Sequence, residues 1–160
     1  MIALACYAGL RASEVLGLTW ANVDLDKGAL KIQQTAIEGK VRKTTKSGHV
    51  RSVPISPSLR PFLIELKESD PDGCWLFPGK NPDNPLYQVQ HIFSRLKRRA
   101  KMADAPGFHA LRHTFATRAL ENAVSLHAVK SWMGHSSIQM TESYLHFTQG
   151  HTMEMAERLP

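Results

Sequence analysis

Cysteine is scarce in this sequence, and long apolar runs are missing. The two cysteines, Cys6 and Cys74, have no CxxC spacing, which argues against a disulfide framework or a cysteine-based zinc site. The apolar opening at residues 1–10 is far shorter than the roughly 20 apolar residues that span a bilayer, and it lacks the features of a signal peptide. We therefore expect a cytoplasmic protein of a reducing compartment, with no membrane partner.

Low-complexity stretches and internal repeats are also absent, which argues against disorder and repeat architectures. The chain of 160 residues fits one domain, and its hydrophobic fraction of 42% is ordinary for a folded protein. The apolar pattern already runs at residue 1, with no N-cap residue before it. We expect the chain to begin inside a helix, as a fragment whose natural N-terminal part is missing.

Positive charge is in excess. Twenty Lys and Arg residues stand against fourteen Asp and Glu residues, for a net charge of +6 and a pI near 9.6. Such an imbalance favours polyanionic partners such as nucleic acid. Charge alone does not decide the partner, because many basic proteins bind no DNA.

The hydrophobic periodicity predicts an α+β fold, mainly helical, with a small antiparallel β-sheet near the N-terminal third. Helices are expected over residues 1–18, 57–68, 84–102, 109–120, 126–133 and 137–145. Strands are expected over residues 29–35, 36–41 and 50–55. Gly9 is a possible bend in the first helix, and Gly134 is a good residue to end the fifth. Ser136 and Gln139 have the spacing of a capping box for a last short helix that carries Tyr144.

The helix expected over 109–120 repeats apolar residues at four-residue intervals, which predicts a stripe that faces the core. His109 and Arg112 fall outside that stripe. His109 and His113 lie four apart, a spacing by which one helix face can present two imidazoles to zinc. Without the glutamate of HExxH or another obvious ligand, zinc is the weaker interpretation.

Four motifs and a tyrosine follow one another along the chain: GLRASE at 9–14, TKSG at 45–48, HALRHTF at 109–115, MGHSS at 133–137, and then Tyr144. In this order and context, the chain resembles the tyrosine recombinases of the phage integrase type, from residue 5 to about residue 146. The separations of 23 residues from Arg112 to His135 and 9 from His135 to Tyr144 agree with the family pattern.

The resemblance implies a catalytic set of two arginines, a lysine, two histidines and a tyrosine. These positions are Arg11, Lys46, His109, Arg112, His135 and Tyr144. Glu14 matches a family position whose side chain supports the catalytic residues without being one of them. Arg11 and Glu14 are three residues apart, a spacing that puts them on one face of a helix. The family implies that Tyr144 attacks DNA, that Lys46 protonates the leaving oxygen and that His135 binds a non-bridging oxygen.

Elementary chemistry agrees with that set. Two guanidinium groups can clamp the non-bridging oxygens of a phosphoryl-transfer transition state, as a metal ion does elsewhere, so no cofactor or metal is expected. A phenol has a pKa near 10 and needs help to react at neutral pH. His109 is the candidate proton acceptor, and a cationic pocket favours phenolate.

Several assignments stay open at the level of sequence. Lys43 is a rival for Lys46, and the parts of Lys46 and His109 could be exchanged. His113 is interpreted as a structural or surface residue. A basic run at 95–101 is as consistent with a solvated helix face as with phosphate contacts.

The expected function is site-specific DNA recombination or integration by a phage or mobile-element enzyme, through a 3′-phosphotyrosine intermediate. The alternatives are a type IB topoisomerase-like nickase and a DNA-binding module without catalysis. Residues 1–160 are expected to form the catalytic domain alone, without the family's N-terminal DNA-clamping domain. Double-stranded DNA is the expected partner, with a homotetramer on DNA in the full-length protein, at the nucleoid.

Overall fold

The computed structural model describes residues 1–43 and 50–144. The expected first helix is divided into α1 (Ile2–Ala8) and α2 (Ala12–Leu16). The break falls at Gly9, which has a left-handed φ of 65° and donates its N–H to the carbonyl of Leu4. A β-carbon on Gly9 would lie 2.4 Å from the ring of Phe115. Glycine is therefore needed here for both its backbone angle and its close approach to a later helix.

The expected sheet proves to be two antiparallel sheets. One contains β1 (Val23–Asp24), β2 (Ala29–Ile32) and β5 (Arg51–Pro54), in that order, and the other pairs β3 (Thr35–Ile37) with β4 (Lys40–Arg42). The predicted strand over 29–35 therefore ends early. The chain leaves β2 after Ile32 because β3 packs against the end of α2, so closely that a β-carbon on Gly17 would lie 2.8 Å from the Thr35 backbone.

The third and fourth helices begin later than predicted. The Ser56 hydroxyl accepts the N–H of Leu59 at 3.3 Å in the preceding turn. The prediction that Ser56 caps the helix is wrong, because α3 covers Arg60–Ser69 with Leu59 at its N-cap position and no side-chain cap. The prediction that the next helix begins at residue 84 is wrong, since α4 covers Gln90–Arg99. Pro85 instead bridges Pro78, and the N–H of Leu86 binds the carbonyl of Phe77 at 2.9 Å.

Helix α5 (His109–Glu121) crosses the break between α1 and α2, and α6 (Leu126–Met133) and α7 (Gln139–Glu142) follow it. The face of α5 that is buried in the core differs from the predicted one. Its buried residues are Arg112, Phe115, Ala116 and Leu120, so the prediction that Arg112 lies outside the core face is wrong. A fully buried guanidinium replaces an apolar side chain at this position, and apolar periodicity cannot detect that.

Two hydrophobic clusters form the core. The larger joins α1, α2, β2, β5 and α3, and the smaller joins α5, α6 and Tyr144. Trp132 packs against both clusters. Both cysteines are free thiols. Among residues 1–43 and 50–144, no helix has the length and apolar character needed to cross a membrane. The fold is α+β, as predicted.

Candidate active site

A cleft of about 570 Å³ gathers five of the six predicted catalytic residues. Its lining includes Arg11, His109, Arg112, His135 and Tyr144. These side chains come from the start of α2, from α5, and from the segment that follows α6. The sixth predicted residue, Lys46, lies outside the described residues, so the choice between Lys46 and Lys43 stays a prediction.

Arg11 is held by Glu14. Arg11 is the N-cap residue of α2, and its backbone N–H donates to Glu14 Oε2 at 2.8 Å. Its guanidinium Nη1 donates to Glu14 Oε1 at 3.1 Å. Arg11 and Glu14 lie together, as predicted. Their contact is a capping interaction at the start of α2, and not a pairing on one face of a helix. Glu14 is 1% exposed, so its carboxylate is a fixed internal charge.

Arg112 is 2% exposed. Its Nη2 donates to the carbonyl of Met133 at 2.6 Å, and its Nη1 donates to the carbonyl of Gly9. Burial, with the nearby charge of Arg11, lowers the pKa of Arg112 to about 10, which leaves it cationic at neutral pH. Arg11 Nη1 also donates to the Met133 carbonyl, at 3.3 Å. The C-terminal end of α6, which carries partial negative charge, thus joins the two arginines.

His135 directly follows Gly134, whose left-handed φ of 64° ends α6 as predicted. The Nδ1 of His135 lies 2.8 Å from the hydroxyl of Thr141, which is fully buried. Burial and the charges of Arg112, Arg11 and Arg51 lower the pKa of His135 to about 4. The imidazole is therefore neutral at pH 7, and its Nε2 is the nitrogen left to meet a ligand.

Tyr144 lies two residues beyond the end of α7. Its backbone N–H donates to the carbonyl of Thr141 at 3.1 Å. The predicted capping box is wrong: α7 has no side-chain cap, and the Ser136 hydroxyl contacts the sulfur of Met140 instead. The predicted helix over 137–145 is correspondingly too long. Tyr144 is 6% exposed, and its ring lies nearly parallel to that of His135, at 6.3 Å between centroids.

The acidity of Tyr144 reflects two opposing effects. Burial raises the pKa of its phenol, while the charges of Arg112 and Arg11 lower it, and burial prevails. The cationic pocket acts in the expected direction but does not by itself produce phenolate. A Tyr144 that reacted as phenolate at neutral pH would need a proton acceptor.

Two further imidazoles, those of His109 and His113, line the same cleft as Tyr144. The ring of His109 meets that of His113 edge to face at 4.9 Å, and the ring of His113 lies 5.4 Å from that of Tyr144. Burial, followed by charge from His113 and Arg112, lowers the pKa of His109. Within the described part of the chain, no group of three or more His, Cys, Asp or Glu residues is arranged to hold a metal ion.

Sequence reasoning missed Arg51. This residue is 9% exposed, and its guanidinium forms a paired ion bridge with Glu14, at 2.9 Å to Oε1 and 2.8 Å to Oε2. A signal existed: Arg51 and Val53 alternate on the buried face of β5, and the period-two pattern places an arginine inward. Thr141 was missed as well, because no sequence pattern distinguishes this buried threonine from threonines on the surface.

Residues 1–151 match the family described as the phage integrase family. The chain is 30% identical to a XerC-like tyrosine recombinase of Caldanaerobacter subterraneus, over 89% of this chain and 44% of that protein. It is 29% identical to tyrosine recombinase XerA of Pyrococcus furiosus, over 99% of this chain and 53% of that protein. The chain thus spans about half the length of these curated relatives.

Solved structures share the fold. The Tn1549 transposon integrase in complex with circular intermediate DNA superposes with a TM-score of 0.75 at 26% identity, over 89% of this chain and 53% of that one. The catalytic domain of bacteriophage HP1 integrase gives a TM-score of 0.64 at 26% identity, over 99% of this chain and 80% of that domain.

Proposed function

This chain belongs to the phage integrase family, and from that membership we propose that it performs site-specific DNA recombination with Tyr144 as nucleophile. The observation that carries the proposal is the convergence of Tyr144, Arg11, Arg112 and His135 on one cleft. A nucleophile, two forked cations and a neutral imidazole are the groups that metal-independent phosphoryl transfer requires.

In the proposed reaction, the Tyr144 oxygen attacks a DNA phosphorus and a phosphotyrosine bond forms. The bond from phosphorus to the 5′ oxygen breaks, and that oxygen leaves as a hydroxyl after it gains a proton. Attack by a 5′-hydroxyl on the phosphotyrosine reverses the step and reseals a strand. The phosphodiester bond energy is conserved throughout, so no ATP is consumed and no cofactor is proposed.

Arg11 and Arg112 are proposed to bind the two non-bridging oxygens, where charge concentrates in the transition state. Both have one edge fixed by backbone carbonyls of Gly9, Met133 and Gly134. Fixed donors need no reorganisation during reaction. His135 is neutral at pH 7, and as a neutral donor it would bind a non-bridging oxygen through Nε2.

The proton roles follow from the same chemistry. His109 is proposed to accept the phenol proton, because its lowered pKa leaves it unprotonated at neutral pH. Lys46 is proposed to protonate the departing 5′ oxygen, a role taken from the family resemblance.

The wider assembly is also a proposal. The chain is proposed to be the catalytic domain of a longer protein that has a separate N-terminal DNA-clamping domain and forms a tetramer on duplex DNA. The Tn1549 integrase was solved in complex with circular intermediate DNA, which supports a DNA partner. We propose a cytoplasmic, nucleoid-associated location in a bacterium or phage-infected cell, since the XerC-like relative is bacterial.

The test is covalent capture. The chain is incubated with a pool of randomised DNA duplexes in EDTA, SDS-resistant adducts are isolated, and their DNA and attached peptide are sequenced. We expect a 3′-linked adduct on the peptide that contains Tyr144, and none from Tyr144→Phe, which removes one oxygen and keeps the packed ring. An adduct on Tyr7, Tyr87 or a serine would contradict the assignment.

The recovered DNA separates the remaining alternatives. Adducts enriched in one sequence indicate a recombinase, and a pair of those sites on one plasmid then tests strand exchange. Adducts on unrelated sequences, with relaxation of a supercoiled plasmid, indicate a topoisomerase-like nickase. Binding without any adduct indicates a DNA-binding module.

A further inference from the structure

The guanidinium of Arg51 is buried beside the proposed active site but does not line its cleft. It binds the carboxylate of Glu14 and, through Nε at 2.7 Å, the carbonyl of Trp132, and it lies close to Gly134. A β-carbon on Gly134 would lie 3.1 Å from Arg51 Nη1. β5 is thereby tied to α2 and to the C-terminal end of α6, one residue before His135.

Glu14 lies among three cations. Arg51 occupies both of its oxygens, Arg11 Nη1 donates to Oε1 at 3.1 Å, and Arg112 Nη1 stays 3.9 Å from Oε2. Burial alone would raise the pKa of Glu14, but the hydrogen bonds and charge of Arg51, with those of Arg11, hold it below its ordinary value. The carboxylate is thus negative at neutral pH, within reach of both arginines of the cleft.

A buried carboxylate that lacks its own ion-pair partner attracts the other cations near it. If Arg51 were absent, Arg11 and Arg112 would be the cations left beside Glu14, and each would turn part of its charge toward the carboxylate. Buried charges interact strongly because little water screens them. The positive potential offered to a phosphate in the cleft would fall.

We infer that Arg51 is a positioning residue: it neutralises Glu14, so that Arg11 and Arg112 remain available to bind the phosphoryl group. Arg51 does not touch the phosphate. This inference rests on the proposed function. It adds to that site a residue, Arg51, that acts only through the side chain of Glu14.

The test measures anion binding in the cleft without DNA. Orthovanadate, which resembles a phosphoryl group, is titrated into four chains: wild type, Glu14→Gln, Arg51→Met and the double variant. Each is measured at a temperature where circular dichroism shows it to be folded. Arg51→Met should weaken vanadate binding about tenfold, but less than about twofold in the Glu14→Gln background, because no carboxylate then remains to be neutralised.

Arg99→Met is the matched control, since it removes the same charge from an exposed end of α4. It should change vanadate affinity less than about twofold, because exposed charges are well screened. Arg51→Lys keeps the charge but loses the paired geometry, and should fall between wild type and Arg51→Met. If Arg51→Met alone fails to fold, the vanadate affinities of Arg51→Lys and of the double variant are compared instead. The double variant lacks both members of the Arg51–Glu14 pair, so it leaves neither charge of that pair buried without its partner.

A purely structural role for Arg51 predicts a different pattern. The folded Arg51→Met chain would then bind vanadate like wild type, or its loss would persist in the Glu14→Gln background. Either result overturns the inference, as does a double variant that cannot fold. The covalent-capture assay is independent: an adduct on Tyr144 with no effect of Arg51 contradicts this inference alone, and absence of adduct with the expected vanadate cycle contradicts the proposed function alone.

Discussion

The ring of His113 lies beside the ring of Tyr144, with 5.4 Å between their centroids and an angle of 45° between their planes. His109, the candidate proton acceptor, meets the ring of His113 edge to face, with 4.9 Å between centroids. The two imidazoles and the phenol therefore form a connected series. Which imidazole accepts the proton becomes a question that substitution can answer.

His109→Gln and His113→Gln separate the two. If His109 accepts the phenol proton, His109→Gln should slow adduct formation about 100-fold, the usual contribution of general base catalysis, and His113→Gln should slow it less than about tenfold. The measurement is the single-turnover rate of covalent capture as a function of pH. The reverse order would assign the proton to His113.

Arg112→Lys should slow adduct formation on the order of a hundredfold or more, because an ammonium cannot reproduce the paired donors of the guanidinium. Arg118→Lys, an exposed position on the same helix, is the control and should react at close to the wild-type rate. Both are measured in EDTA. A strict need for Mg²⁺ or Zn²⁺ in the wild type would contradict the mechanism.

Stability should fall as the pH is lowered from about 7 toward 4.5. The pKa of His135 is about 4 in the folded chain, against an ordinary value of 6.5. The unfolded chain therefore binds more protons within this window, and falling pH stabilises it relative to the folded chain. After allowance for solvent screening of this partly exposed ring, the loss is on the order of 1 kcal/mol. Urea denaturation at several pH values measures it, and the slope should be shallower in His135→Gln.

Gly134→Ala should destabilise the fold by about 2 kcal/mol, since it forces an alanine into a left-handed φ of 64° and against the Arg51 guanidinium. Gly107→Ala is the matched control, because a β-carbon there meets no atom within 4 Å. Its effect should stay within about 1 kcal/mol of wild type. Equal destabilisation by the two changes would show that neither the angle nor the contact at Gly134 matters.

Much of the fold and the site could be predicted from local pattern. Gly134 ends a helix as expected, and Gly9 interrupts the first predicted helix at the point where a bend was expected. The α+β class is confirmed, and five residues named from motifs line one cleft. These features depend on backbone geometry or on motif spacing. Both can be recognised from short segments of the sequence.

The features that sequence could not predict depend on contacts between distant residues. Arg112 was placed outside the core face because apolar periodicity treats every arginine as exposed, whereas its burial depends on carbonyls of Gly9 and Met133. Arg51 was missed because its partner, Glu14, lies 37 residues away. The start of α4 was wrong because the bridge from Pro78 to Pro85 competes with local helix signals.

The shared carbonyl of Met133 has a consequence for the order of folding. It accepts from Arg112, 21 residues away, and from Arg11, 122 residues away. Closing so long a loop carries an entropic cost that local helix formation does not offset, and contacts of this range form slowly. The two arginines therefore come together only when the chain has closed from the start of α2 to the end of α6. The proposed phosphate site is thus a property of the completed tertiary structure and not of its separate helices.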